Sequence, residues 1–423
     1  MTSEYFLKCN IDPQKGHIKV EGTIIISSIE KNMFFVLNRG LRWTKTIRKT
    51  ASGDQVVKPH RSNELEVPRF YNGELWTFDI VDSLQDEFVI EVKYSGQIHP
   101  PVKKSRMPQM GYIRRDFIEL ACYSAWYPVP MNIETNMSFE ISIEGPNDWT
   151  WMVNATQKQV NKKNGTSEWR WKQNSFVNDI VILGLPQRNL YQIERSHFWG
   201  PKDVVANQKV LDDEVYKMEQ LLVNWLGQRE TDTSIKFVIT PRAEGGAYAR
   251  SGIIVVGGGY STDISLRRQV LQSMCHEICH DWFCKASVKT YDNWIDEALA
   301  EYCSVIITEN HLNNDFLEWR IKTTKEKLEK QGPIPSIRSL TRDNELSYTA
   351  FYFRGFLLLD NLSKVFGKEQ FHEVVREFAE YSVKNRSVTT DIFLDLLVKE
   401  FGNKALDITN KWLDYNGVGI PPE

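Results

Sequence analysis

The chain is 423 residues long, which at about 100–200 residues per domain predicts two to four domains. With 41% hydrophobic and 25% charged residues, the composition is that of a globular protein and excludes a disordered or low-complexity chain. The 52 basic and 55 acidic side chains give a net charge of -3, which argues against a protein that binds nucleic acid through a clustered basic surface.

The first residues and the cysteines indicate the compartment. Glu4 and Lys8 stand where a signal peptide needs an uninterrupted apolar run, so we expect no secretion by that route. No apolar stretch approaches the roughly 20 residues of a membrane span, so we expect no membrane partner. Of the six cysteines, four lie within 29 residues of one another, a spacing more typical of reduced thiols than of disulfides. The sequence therefore predicts a cytoplasmic protein.

Residues 1–190 are predicted to form an N-terminal β-domain. Short runs rich in β-branched residues alternate with turns that contain Gly, Asn and Asp, and no long segment of helical period interrupts them. The strand-like runs are 17–26, 34–37, 88–92, 137–143, 168–171 and 180–183. We expect an antiparallel sandwich or saddle.

The periodicity becomes helical after residue 190. A helix is predicted over 212–226, followed by two strands at 235–239 and 253–256. Further helices are predicted at 316–330, 348–366, 369–382, 390–401 and 405–414. The fold class is therefore α+β and multidomain, with a second domain over 191–310 and an α-helical C-terminal segment over 311–423 that completes the cleft of the second domain.

The chemistry-bearing motif of the second domain is His276-Glu277-Ile278-Cys279-His280, a His-Glu-x-x-His match. On a helix, positions i and i+4 lie one turn apart on the same face, so both imidazoles can bind one zinc ion. Glu277 is rotated by about 100° from His276 and can reach a water on the metal without binding the metal. Because such a string also arises by chance, its context has to decide.

A catalytic zinc site needs a third protein ligand. The segment 294–302 predicts a second helix with two carboxylates, Glu297 and Glu301, four residues apart on one face. We assign Glu297 as the third ligand and Glu301 as the acceptor that orients a ligand imidazole. The alternative is a pair of solvated carboxylates on a helix surface.

Cysteines around the histidines raise another possibility, a structural zinc ion held by thiolates. Cys275 and Cys279 share a helix face that is offset from the face of the histidines, so the two pairs cannot easily bind one metal ion. We expect these thiols to be buried behind the helix as small apolar side chains. A site that uses Cys284 stays open.

These motifs resemble the M1-type gluzincin peptidases, which include aminopeptidase N and the leukotriene-converting epoxide hydrolase. The segment 294–298, Trp-Ile-Asp-Glu-Ala, is similar to the family's Trp-x-Asn-Glu-Gly, which implies that Glu297 is the third zinc ligand. The segment 352–355, Tyr-Phe-Arg-Gly, is similar to its Tyr-x-Lys-Gly, which implies that Tyr352 stabilises the oxyanion. Residues 123–128 resemble part of the family's β-domain. The resemblance implies a thermolysin-like catalytic domain that binds one zinc ion per chain.

The chain departs from the family in its substrate-binding segment. Where the family has Gly-Ala-Met-Glu-Asn, whose Glu holds the substrate's α-amine, this chain has Gly-Ala-Tyr-Ala-Arg at 246–250. Ala249 replaces the carboxylate, and Arg250 adds a guanidinium that favours a substrate carboxylate or a blocked terminus. Glu244 offers a substitute charge. The backbone of Gly245, Gly246 and Ala247 can pair with an extended peptide.

The sequence therefore predicts a zinc metallopeptidase that acts on peptides, resembles the aminopeptidases and has altered N-terminal recognition. Glu277 is the predicted general base and Tyr352 the oxyanion donor. Two alternatives stay open. One is a zinc hydrolase or endopeptidase for blocked or carboxylate-bearing substrates, and the other is a non-catalytic scaffold that binds peptides.

Overall fold

The computed structural model describes residues 2–27, 33–68, 71–78, 87–100, 110–131, 136–162, 165–193, 198–205, 209–229, 235–242, 246–258, 266–312 and 315–422. Within these ranges, no helix has the length and apolar character needed to cross a membrane.

The N-terminal part is built from β-strands. They are β1 (Thr2–Asp12), β2 (His17–Ser27), β3 (Phe34–Leu37), β4 (Leu41–Thr50), β5 (Gly53–Val56), β6 (Pro59–Arg61), β7 (Glu74–Phe78), β8 (Glu87–Gln97), β9 (Tyr112–Ile113), β10 (Ile118–Leu120), β11 (Val129–Pro130), β12 (Asn136–Pro146), β13 (Trp149–Val153), β14 (Thr156–Lys162), β15 (Thr166–Val177) and β16 (Ile182–Pro186). A 3₁₀ turn at Cys122–Ser124 lies between β10 and β11.

Alternating polarity explains the large sheet of this part. In β1, buried and exposed residues alternate along the strand, so one face packs on a core and the other faces solvent. Eight strands pair in the order β14-β15-β12-β1-β2-β8-β4-β5. Strand β1 pairs antiparallel with β2 and parallel with β12. Two four-stranded sheets, β13-β16-β10-β9 and β11-β3-β7-β6, complete this part.

The remainder begins with a mixed sheet and continues as helices. Its strands are β17 (Leu190–Ile193), β18 (Phe198–Pro201), β19 (Lys236–Thr240), β20 (Ala247–Arg250), β21 (Ile253–Gly257), β22 (Pro333–Ile334) and β23 (Gly417–Val418). Its helices are α1 (Lys202–Val205), α2 (Lys209–Leu226), α3 (Arg267–Cys279), α4 (Asn293–Leu312), α5 (Phe316–Gln331), α6 (Gly355–Phe366), α7 (Lys368–Lys384), α8 (Thr390–Phe401) and α9 (Asn403–Asp414). Two 3₁₀ turns lie at Gln187–Asn189 and Ile337–Ser339, and a π-helical turn at Thr349–Arg354 leads into α6.

The predicted α+β class, with an N-terminal β-domain and a helical C-terminal region, is confirmed. One hydrophobic core runs from Phe198 to Leu413, and helix α4 lies at its centre with nearly all of its residues buried. The predicted boundary at residue 310 falls inside α4. Residues of the predicted second domain and of the C-terminal helices share this core.

Buried ion pairs join the β-domain to the mixed sheet. Arg242 donates to Glu119 over 3.1 Å, and Arg250 donates to Asp179 over 3.0 Å. Tyr248, on the same face of β20 as Arg250, lies 3.4 Å from Glu119. Each carboxylate that is buried at this contact therefore has a compensating charge.

Candidate metal centre

Two helices carry the predicted metal ligands. Helix α3 presents His276 near its C-terminus and is capped by His280. The chain then turns back into α4, whose first turns carry Glu297 and Glu301. The carboxylate of Asp296 accepts the backbone N–H of Ala286 over 3.0 Å, which holds the connection between the two helices against α4.

The three predicted ligands converge. Nε2 of His276 lies 3.4 Å from Oε2 of Glu297, and Nε2 of His280 lies 3.6 Å from the same oxygen. In a tetrahedral zinc site with bonds of about 2.0–2.1 Å, donor atoms are separated by roughly 3.3 Å. Nε2 of His276 and Oε2 of Glu297 are buried without a hydrogen-bond partner among the described residues. Buried polar atoms that converge without partners fit a metal ion.

The surroundings fix which ring nitrogens face the centre. Nδ1 of His280 lies 2.8 Å from the carbonyl oxygen of Phe283, so Nδ1 carries the proton and Nε2 keeps its lone pair. Nδ1 of His276 lies 3.3 Å from Oε2 of Glu301. Glu301 therefore contacts the nitrogen of His276 that faces away from the centre, as carboxylates that orient ligand imidazoles do in zinc sites.

Arginines hold both carboxylates in the charged form. Glu301 pairs with Arg320 and accepts a hydrogen bond from Gln272 over 3.0 Å. Burial opposes ionisation, but the Arg320 guanidinium and His276 together outweigh it and lower the pKa of Glu301 to about 2. Arg342 pairs with Oε1 of Glu297. Against the same effect of burial, Arg342 and the two histidines together keep the pKa of that carboxyl far below its usual value. Both carboxylates are thus ionised at neutral pH, as metal binding requires.

Tyr352 lies in the π-helical turn before α6, and such turns occur frequently at functional sites. Its ring stacks on His276, with 5.2 Å between ring centroids and an interplanar angle of 14°. Its hydroxyl accepts a hydrogen bond from Nη2 of Arg342 over 3.2 Å. Burial raises the pKa of Tyr352 well above the ordinary value although Arg342 opposes this, so the phenol keeps its proton and can donate it.

Glu277 follows His276 on α3 and is partly exposed. Among the described side chains, none donates a hydrogen bond to its carboxylate. Its predicted role as general base stays a prediction.

The structure places the predicted substrate-binding residues on β20 or just before it. Gly246 precedes the strand with φ of 101°, a left-handed conformation that favours glycine. Ala247 and Ala249 lie on the face of β20 that is partly buried against the core containing α3, and Arg250 lies on the opposite face with Tyr248. Glu244 and Gly245 lie outside the described residues.

The guanidinium of Arg250 already has anionic and polar partners within the protein. It donates to Asp179 over 3.0 Å and to the hydroxyl of Tyr123 over 2.7 Å. It also lies over the rings of Tyr123 and Tyr248. Its charge is therefore balanced by Asp179, and it does not provide the free cation that we expected for a substrate carboxylate.

The cysteines lie apart from the ligand set. Cys275, Cys279 and Cys303 are buried in the hydrophobic core, and Cys284 is partly buried. Burial raises the pKa of Cys279 and of Cys303 well above the usual thiol value, which disfavours the thiolate that zinc binds. In the part of the chain that the structure describes, only the two histidines and Glu297 bring three such donors together.

Sequence reasoning missed Gln272, Arg320 and Arg342. Gln272 lies one helical turn before His276, so the spacing of four residues was a usable signal. In sequence, Arg320 is 19 residues from its partner Glu301, and Arg342 is 45 residues from its partner Glu297. No local pattern marks either arginine.

A His-Glu-x-x-His helix that meets a glutamate from the next helix is a ligand arrangement of zinc metallopeptidase sites. Residues 246–412 match the family model described as "Peptidase family M1 domain". The resemblance to M1 peptidases that the motifs indicated is therefore confirmed over the catalytic region. A search of curated protein sequences found no match.

Similar solved structures are M1 zinc metallopeptidases. One from Deinococcus radiodurans, a Glu-to-Ala mutant bound to the substrate Tyr-Ser-Ala, has a TM-score of 0.75 and 16% identity and covers 100% of this chain and 95% of its own. The enzyme from Deinococcus radiodurans without a stated mutation gives a TM-score of 0.73 at 16% identity, with 98% and 93% covered. A two-domain M1 zinc metallopeptidase mutant bound to L-tryptophan has a TM-score of 0.75 and 16% sequence identity. The match covers 99% of this chain and 95% of the other chain. At this identity the likeness establishes the fold.

Proposed function

We propose that the protein is a zinc-dependent peptidase that hydrolyses peptide bonds near a free N-terminus. The observation that carries the proposal is the convergence of Nε2 of His276, Nε2 of His280 and Oε2 of Glu297. Tyr352 stacks on His276, and Glu277 follows His276 on α3. A bound zinc ion would supply a Lewis acid that polarises the scissile carbonyl and acidifies a water molecule.

The side chains around this centre have complementary tasks. Glu277 takes the proton of the attacking water and passes it to the leaving amine. Tyr352 donates its phenolic proton to the carbonyl oxygen as negative charge develops there. The buried and stacked ring of Tyr352 fixes that donor before the substrate arrives.

Strand β20 offers a place for the peptide backbone. It is the last strand in the sheet order β17-β18-β19-β21-β20 and pairs with β21 on one side. Its other edge has no paired strand among the described residues, so the N–H and C=O groups beyond Gly246 can bind an extended peptide. Because β20 packs beside α3, a peptide on this edge would lie close to the helix that carries His276.

Two observations support a free N-terminus. Arg250 is balanced by Asp179, which removes the charge that would favour a substrate carboxylate. In addition, the similar solved structures are described as bound to Tyr-Ser-Ala and to free amino acids, which are unblocked ligands. Since residue 249 is alanine, another group has to receive the amine.

The test compares peptide pairs that differ only in N-terminal acetylation, with and without a chelator. We expect zinc-dependent release of N-terminal residues from the free peptides and little turnover of the acetylated ones. Glu277→Gln should keep stoichiometric zinc and lose activity by at least about 10²-fold. Glu326→Gln, on the exposed face of α5, is the matched control and should retain full activity.

Preferred cleavage of acetylated peptides would favour the hydrolase for blocked substrates. Zinc binding without hydrolysis of either set would favour the peptide-binding scaffold. We place the enzyme in the cytoplasm, a proposal that is supported by the six cysteines, which form no disulfide bond in the part of the chain that the structure describes.

A further inference from the structure

Arg342 contacts two functional groups of the site at once. Nη1 pairs with Oε1 of Glu297, and Nη2 donates to the hydroxyl of Tyr352 over 3.2 Å. The guanidinium also lies over the Tyr352 ring, 5.5 Å from its centroid. Its side chain is 28% exposed, so it lies at the wall of the site and not deep in the core.

The chain around Arg342 holds it in place. Its backbone N–H donates to the carbonyl of Val288, in the connection between α3 and α4, over 3.3 Å. Its carbonyl accepts the hydroxyl of Ser347 over 3.1 Å. Arg342 therefore ties the connection between the metal-binding helices to the segment that leads into Tyr352.

The contact with Tyr352 has a direction. A guanidinium can only donate hydrogen bonds, so the oxygen of Tyr352 has to accept one from Arg342. The phenolic proton then points away from Arg342, and Glu297 lies within its reach. Without Arg342, the hydroxyl would lose the donor that fixes its rotation.

The contact with Glu297 is equally selective. Since Oε1 is occupied by Arg342, Oε2 is the oxygen that faces both histidines. A carboxylate that is anchored in this way offers one oxygen to the metal in a fixed orientation.

We propose that Arg342 is a positioning residue that orients the Tyr352 hydroxyl as an oxyanion donor and fixes the Glu297 oxygen that binds the metal. This inference rests on the proposed peptidase function. It predicts that the effects of Arg342 and Tyr352 on turnover are coupled.

The experiment uses Arg342→Ala and Arg342→Lys in the parent chain and in a Tyr352→Phe background. Arg338→Ala is the matched control, because Arg338 makes similar contacts with a tyrosine outside the site. It donates to the Tyr291 hydroxyl over 2.9 Å and lies 5.4 Å from the centroid of that ring. The kcat and KM values are measured at saturating zinc, and zinc affinity is measured separately by competition with a chromogenic chelator.

We expect Arg342→Ala to lower kcat about 10–100-fold with a smaller change in KM, and to weaken zinc binding by about 10–100-fold. In the Tyr352→Phe background the same change should lower kcat by less than about threefold, because the hydroxyl it orients is absent. Arg342→Lys should recover part of the loss, and Arg338→Ala should match the parent.

Equal losses of kcat in both backgrounds, or a kcat and zinc affinity of Arg342→Ala that match those of Arg338→Ala, would overturn the proposal. If the parent chain hydrolyses no peptide, the proposed function fails. The zinc affinities still decide the inference in that case, because weaker binding by Arg342→Ala supports it and unchanged binding overturns it.

Discussion

The close approach of α6 to α4 makes Gly355 the most informative position for mutation. Its backbone is ordinary helix, with φ of -59°, so no conformational reason requires glycine there. A Cβ atom at this position would lie 2.7 Å from Cβ of Ala298 and 3.3 Å from Cε3 of Trp294. Ala298 follows the predicted ligand Glu297, and Gly355 lies three residues after Tyr352. The contact therefore sets the distance between the two halves of the site.

The expected change in the free energy of unfolding for Gly355→Ala is the sum of two opposing effects. Carbon atoms pack at about 3.5–4.0 Å, so the helices would have to separate by about 1 Å. Overpacking of this kind costs about 1–3 kcal/mol, whereas alanine in place of a helical glycine contributes about 1 kcal/mol of stability. The net expectation is a decrease of about 1 kcal/mol in the free energy of unfolding. The effect on kcat should be larger, because a shift of about 1 Å in a catalytic group can lower the rate by about 10²-fold.

The assay is kcat at saturating zinc together with the thermal unfolding temperature. The double variant Ala298→Gly with Gly355→Ala moves one methyl group across the contact. It should recover most of the lost kcat, and the helix propensities of the two changes cancel. Ala298→Gly alone is the control and should keep the parent kcat. If Gly355→Ala retained the parent kcat and melting temperature, the helix contact would not set the geometry of the site.

Two further predictions test the surroundings of the site and the core. Glu301→Gln should weaken zinc binding by about 10–100-fold in chelator competition, because the residue orients His276 from 3.3 Å, and an unchanged affinity would remove Glu301 from the site. Burial lowers the pKa of His372 to about 4, below the unfolded value of about 6.5, so its contribution to stability is present at pH 7 and is lost as the pH falls from 6.5 to 4. After allowance for solvent screening, the difference in unfolding free energy between the parent chain and His372→Gln should shrink by about 1 kcal/mol from pH 7 to pH 5. A difference that is equal at both pH values would contradict this.

The sequence by itself predicted many of the helices and strands, together with the three candidate metal ligands that lie on two of the helices or directly beside them. The helix at Thr390–Phe401 and the strand at Phe34–Leu37 were predicted with the bounds that the structure has. The spacing from His276 to His280 placed both imidazoles at one centre, because residues four apart share a helix face. Such patterns succeed because they depend on the geometry of a single element.

Only the tertiary structure decided what the arginines do. Arg250 is close in sequence to the expected amine subsite, but it pairs with Asp179, which is 71 residues away in the β-domain. Arg342 stands in an irregular segment and gives no periodic signal, yet it contacts Glu297 and Tyr352. Strand β20 was also missed, because four residues with two alanines give no clear strand pattern. Ion pairs and strand pairings of this kind depend on how distant segments pack against each other, and the periodicity of a short segment contains no information about that packing.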